Sequence, residues 1–300
     1  MLALLATVAS GCGSGTGARS SGSGGAVAQD AGGGGSGGSA GNGSGGSSDA
    51  PAGTCVPPGY NSVGDSASIA SVTATINDLD GAPVSSLFVA VTGVDLSVPG
   101  HSAQDGTVAI TPNHTFKKPA FTYGDGLNYP RLQVPLSQPN AALGSLVTAR
   151  LPAAGPALAA GASVKLGDLT LTIAANTTIA IDTLSYDTPD KQQLRAVTLP
   201  ADKLGAVTGG LALEMIIAAT PSLTLFCPPV AASVPNTPSW PAGTKVEFMI
   251  LGSDVGQSWA PWAEWAKVSD GAVSDDGQSI VTAAGGGLPL LDVIGIRKAN

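Results

Sequence analysis

Two histidines, His101 and His114, are the only imidazoles in the 300-residue chain. A Ser-His-Asp triad or a histidine-ligated metal would have to use one of them. His101 stands in VPGHSAQDG and His114 in TPNHTFKKP. Both contexts read as loops, and neither supplies further ligands at metal spacing. A cell-envelope hydrolase would need a cleft gathering one of these imidazoles with carboxylates. The sequence instead predicts plain loop histidines, no catalytic residue and no enzyme. Paired carboxylates for glycosidic chemistry are equally unsupported, because the only glutamates are Glu214, Glu247 and Glu264, in unrelated contexts.

Two acidic turns bring oxygens together: NDLDG, with Asn77, Asp78 and Asp80, and SDDGQ, with Asp275 and Asp276. Calcium in an EF-hand-type loop needs a longer D-x-D-x-D-G run and a following Glu. Asp-Gly is also the ordinary hairpin signal. Hairpins are therefore expected, with no metal site and no cofactor. Gly37-Gly38-Ser39-Ala40-Gly41 has the spelling of a nucleophile elbow, and residues 32–37 that of a phosphate-binding loop. Neither has the preceding strand and following helix that would hold the group rigidly, so both are chance matches in a Gly-rich string.

The four tryptophans fall within the last 61 residues, and Trp259, Trp262 and Trp265 recur at every third position. Pro261 interrupts any helix there. Two readings stand. The three rings form an aromatic platform for a sugar or for insertion at a membrane surface. Otherwise they cover the end of a core, where each buries up to about 250 Å².

Charged residues make up 11% of the chain, with a net charge of −8, and no basic cluster exceeds the pairs Lys117–Lys118 and Arg297–Lys298. Nucleic-acid binding needs a basic stripe, so that class of partner is set aside.

The three cysteines are Cys12, Cys55 and Cys227. The apolar opening of the chain is too short to span a bilayer, which takes about 20 residues. It fits the apolar core of a secretory signal. The basic residues that should precede it are missing, which suggests a start codon placed too late. Ala9-Ser10-Gly11-Cys12 resembles a bacterial lipobox, although Ala9 stands where Leu is usual. The resemblance implies a signal segment over residues 1–12 and a lipid on Cys12. It also implies a membrane partner through that lipid, and a place at the bacterial outer membrane or cell surface. Residues 13–54 are almost pure Gly, Ser and Ala. They cannot bury enough apolar surface to offset backbone entropy, and they predict a disordered tether with a root-mean-square span of about 35 Å. With one cysteine taken by lipid, the remaining two form an even pair in an oxidising compartment, so a Cys55–Cys227 disulfide is expected.

The rest reads as an all-β chain of two β-sandwich modules, over residues 55–150 and 151–300. Val72, Ala74 and Ile76 alternate with Thr73, Thr75 and Asn77, as a strand with one buried face requires. Asp80-Gly81 and Asp105-Gly106 mark turns. A Pro/Ala/Gly-rich joint at 151–162 precedes further alternating segments. Residues 205–218 read as a loop followed by a buried strand over 211–218, because Gly205, Gly209 and Gly210 each weaken a helix by about 1 kcal/mol. A strand is expected over 245–250.

The order ASVTATINDLDGAPVSSLFVAV…SAQDGTVAI resembles the carboxypeptidase regulatory-like domain, a transthyretin-like β-sandwich, through Asp78, Asp80, Gly81, Pro83, Val84, Asp105 and Gly106. The C-terminal segment is similar to one found in surface lipoproteins of soil bacteria of the myxobacterial kind. These resemblances imply a non-catalytic surface protein with a structural, adhesive or ligand-binding role. A polysaccharide or an envelope protein would be the partner. Carbohydrate binding through Trp259, Trp262 and Trp265 is the alternative.

Overall fold

The computed structural model describes residues 55–60 and 64–299, so the expected signal segment, Cys12 and residues 13–54 lie outside the described residues. All described residues belong to one contact unit, Ser47–Asn300. Nine strands make up its first part: β1 Ser66–Ile69, β2 Ser71–Asn77, β3 Phe88–Thr92, β4 Ser97–His101, β5 Thr107–Ile110, β6 His114–Lys117, β7 Ala120–Tyr123, β8 Leu132–Pro135 and β9 Asn140–Val147. A three-stranded sheet, β5-β2-β9, and a four-stranded sheet, β4-β3-β7-β8, share one core, while β1 pairs with β6. In β2 the alternation holds: Val72, Ala74 and Ile76 are buried and their neighbours are not. Period-2 geometry sends these three inward, where they join Phe121, Tyr123 and Leu132 from the second sheet. The Asp80-Gly81 turn is tied by Asp78, whose Oδ1 accepts from the backbone N–H of Asp80 and Ala82.

The second part contains β10 Ser163–Leu166, β11 Leu169–Thr172, β12 Thr178–Ala180, β13 Arg195–Leu199, a single helical turn α1 Gly205–Thr208, β14 Met215–Thr220, β15 Thr224–Pro235, β16 Lys245–Leu251, β17 Trp265–Val273, β18 Ser279–Thr282, β19 Leu288–Leu291 and β20 Val293–Lys298. Nine of these strands run β10-β11-β15-β18-β17-β16-β20-β14-β13, and β12 and β19 both pair with β15. The ends of this series return to each other. Thr198 on β13 donates to Asp168, between β10 and β11, at 2.6 Å. The sheet thus curls around a second apolar core that includes Leu171, Phe226 and Phe248.

The chain is all-β and sandwich-like, as the alternation implies. One local expectation shifts. The buried strand runs over Met215–Thr220, not 211–218. Leu211–Glu214 is used instead to leave α1, which stops at Gly209 in the left-handed region (φ 61°), and ladder pairing with β20 begins at Met215.

Burial on both faces explains why β14 lacks alternation. Met215, Ile217 and Ala219 join the second core, while Ile216 and Ala218 join the first. The same division holds in β16, where Phe248 and Ile250 face the second core and Met249 and Leu251 the first, and in β20, with Ile294 against Val293. A strand covered on both sides reads as a continuous apolar run. The two parts therefore share apolar contact through β14, β16 and β20.

Candidate functional site

The register of three strands builds a cavity floor. Thr178 lies opposite Cys227, and Ala180 opposite Leu225. On the far side Leu225 lies opposite Leu290. Residues directly opposite share a face, as do residues two apart on one strand. Thr178, Ala180, Leu225, Cys227 and Leu290 therefore present one surface, and all five line a cavity of about 430 Å³. The β15–β19 register breaks between Leu225 and Val230. Pro228 and Pro229 fall in that gap, and neither has an N–H to donate to a ladder. Before the gap the strand alternates, with Leu225 44% exposed and its neighbour Phe226 1% exposed.

Two further segments complete the cavity. One is the entry of the described chain, Cys55 and Pro57. Cys55 and Cys227 stand at disulfide-bonding distance, with Cα atoms 5.2 Å apart, inside the range a bridge requires. The pair fixes the entry segment beside β15.

The other segment follows β16 and contributes Asp254, Gly256, Gln257, Ser258 and Trp259. It is anchored at both ends. Gly252 N–H donates to the Glu264 carbonyl, and Ala263 N–H to that of Gly252, both at 2.8 Å. Gly252 is required here, because a Cβ would overlap the Pro261 carbonyl. Within the loop, Asp254 Oδ1 accepts from Gly256 N–H at 2.8 Å. Underneath lies Asp292, 1% exposed. Its Oδ1 accepts from Val293 N–H at 2.9 Å, and its Oδ2 is bonded to Ser253 Oγ and more loosely to Gln257 Nε2 at 3.4 Å. Burial pushes the Asp292 carboxyl up to about 7, against the lowering effect of the Ser253 and Val293 bonds.

The three spaced tryptophans separate. Trp259, 6% exposed, joins the second core and forms part of the cavity wall. Trp262 packs with Ala120 and Ala263, and its Nε1 donates to the Lys118 carbonyl at 3.0 Å. Trp265 packs against the first core and donates to the Val207 carbonyl at 2.9 Å. Each ring serves a different apolar cluster, so one shared platform is not what the packing builds.

His101 closes β4 opposite Phe88, and His114 opens β6 opposite Ile69. The two lie on different sheets and are exposed. Among the described residues no three His, Cys, Asp or Glu side chains gather as a metal site. Asp276 Oδ1 is occupied by Ser274 Oγ and Gln278 N–H within its own turn.

A smaller cleft of about 220 Å³ adjoins the cavity at Leu223, and Arg131, Tyr186 and Asp125 are among its residues. Burial raises the Asp125 carboxyl, but bonds from Tyr129, Asn128 and Leu127 outweigh it and hold it below the ordinary carboxylate range. Tyr186 OH accepts from Ser222 N–H at 2.8 Å and donates to the Gly126 carbonyl at 3.1 Å.

Of the cavity's residues, the tryptophan spacing and the cysteine count pointed to Trp259, Cys55 and Cys227. Leu225, Asp254 and Gln257 carried no signal, because register and loop path bring them together. Asp292, a lone acid in the apolar run LPLLDVIGI, could have been recognised as a buried carboxyl. Compared with known proteins, the chain matches no family model and no curated protein sequence.

Proposed function

We propose that this chain is an exported, lipid-tethered binding protein whose β-rich body holds a small apolar molecule in the cavity at Cys55–Cys227, without catalysis. The carrying observation is the cavity with its apolar rim. Its volume lies within the range of small-molecule sites, about 300–1,000 Å³. Leu225, one of the exposed large hydrophobics among the described residues, lines the cavity. Polar side chains on the cavity, Thr178, Asp254, Gln257 and Ser258, are outnumbered by apolar ones such as Pro57, Ala180, Leu223, Leu225, Phe226, Pro289 and Leu290, so the apolar ligand is preferred to the carbohydrate.

Export and tethering rest on the apolar leader, Cys12 with its small flanks, and the Gly/Ser stretch behind it. The Cys55–Cys227 pairing supports an oxidising compartment. The sandwich of residues 66–147 supports grouping that part with the carboxypeptidase regulatory-like domains in a scaffolding role.

Two measurements test the proposal. The full chain should bind the neutral dye N-phenyl-1-naphthylamine saturably, and Leu225→Asp should weaken binding by about tenfold, since it puts a carboxylate against an apolar ligand. Absence of saturable binding, or an unchanged affinity in the variant, refutes the site. Mass spectrometry of membrane-extracted protein should find diacylglyceryl-modified Cys12; a mature chain beginning after residue 12 refutes the anchor.

A further inference from the structure

The charge around the cavity narrows the ligand class further. Among the described residues Asp254 is the one ionisable side chain on its wall. Its Oδ1 is engaged by Gly256 N–H. Its Oδ2 has only a long ion pair, 3.8 Å to Arg131, and the side chain stays 38% exposed. Arg131 itself lies in the adjoining cleft, where it faces Asp125 and Asp182 as well. Across the cavity and that cleft, three carboxylates stand against one guanidinium. An anionic amphiphile would thus place its carboxylate or phosphate beside Asp254, with no cation among the described residues of the wall to receive it. A cationic head gains the same field.

We infer that the cavity takes a small amphiphile with an apolar body and one protonated amine, the body lying over Leu225 and Leu290 and the amine set against Asp254. This rests on the reading of the cavity as a binding site and adds the sign of the ligand's charge. A charge pair at contact distance near the surface favours the amine over a neutral head of the same size. Arg131 offsets part of that gain, so the net preference for the amine is about tenfold.

A matched set of probes tests it: octylamine, octan-1-ol and octanoate, titrated calorimetrically into the full chain at pH 7. Octylamine should bind about tenfold tighter than octan-1-ol, and octanoate more weakly than either. Asp254→Asn should abolish the amine preference, so that octylamine and octan-1-ol bind the variant within about twofold of each other. Arg131→Gln should increase the preference, and sodium chloride should shrink it in the unaltered protein, which keeps the test sound if either variant fails to fold. If octan-1-ol binds and octylamine binds no tighter, or if the preference survives Asp254→Asn, the inference is overturned and the apolar site stands. If none of the three binds, the site itself is refuted and the inference with it.

Discussion

Asp292→Asn should remove the pH dependence contributed by the buried carboxyl beneath the cavity loop. In the folded protein, burial raises this acid from its ordinary 3.8 to about 7. The unfolded chain releases the proton near the ordinary value. Between about pH 4 and 7 the folded state holds a proton that the unfolded state lacks, so stability falls as pH rises through that window and levels off above it. At about 1.4 kcal/mol per pH unit, the loss amounts to about 4 kcal/mol. Asparagine imitates the protonated acid. Its Oδ1 can still accept from Val293 N–H, and its Nδ2 can donate to Ser253 Oγ where the acid's proton would. Urea unfolding of parent and variant at matched pH values between 4 and 8 measures the difference directly. Other carboxylates held low by turn bonds, such as Asp105 and Asp276, titrate alike in both proteins and cancel. The variant should gain about 4 kcal/mol on the parent across the window. A stability difference that stays constant from pH 4 to 8 refutes the assignment.

Three further outcomes are expected. Cys55→Ser should lower stability by at most about 5 kcal/mol in the chain-entropy model for so long a loop; the parent, unfolded without reductant, should show no reactive thiol at Cys55 or Cys227, and finding both reactive refutes the bridge. Ile216→Ala should cost about 2–5 kcal/mol while circular dichroism and tryptophan fluorescence still report one coincident transition, because Ile216 lies where the two parts share a core; two separate transitions would show that the parts unfold independently. Trp262→Phe should cost about 1–3 kcal/mol, since it leaves the Lys118 carbonyl without its indole donor, and an unchanged urea midpoint would show that bond to be dispensable.

The sequence by itself determined the strand character of the body. Val72, Ala74 and Ile76 alternate with polar neighbours because one face of β2 meets a core and the other does not, and that period survives into the fold. Turn chemistry at Asp80-Gly81 was legible for the same local reason: the Asp78 carboxylate bonds to backbone two and four residues on. Cysteine counting singled out the pair that the fold brings to 5.2 Å. Tertiary structure decided what no local pattern encodes. MIIAAT in β14 carries no alternation, so its period cannot say that odd residues serve one core and even residues another. The tryptophan spacing predicted a shared fate for three rings, yet Pro261 and the close approach at Gly252 turn the loop so that each enters a different cluster. The cavity draws on residues 55–57, 178–180, 223–227, 254–259 and 289–290. Strand register aligns the floor and a loop closure supplies the wall, and both are long-range choices made by burial, which is why the binding surface emerges only once the chain is folded.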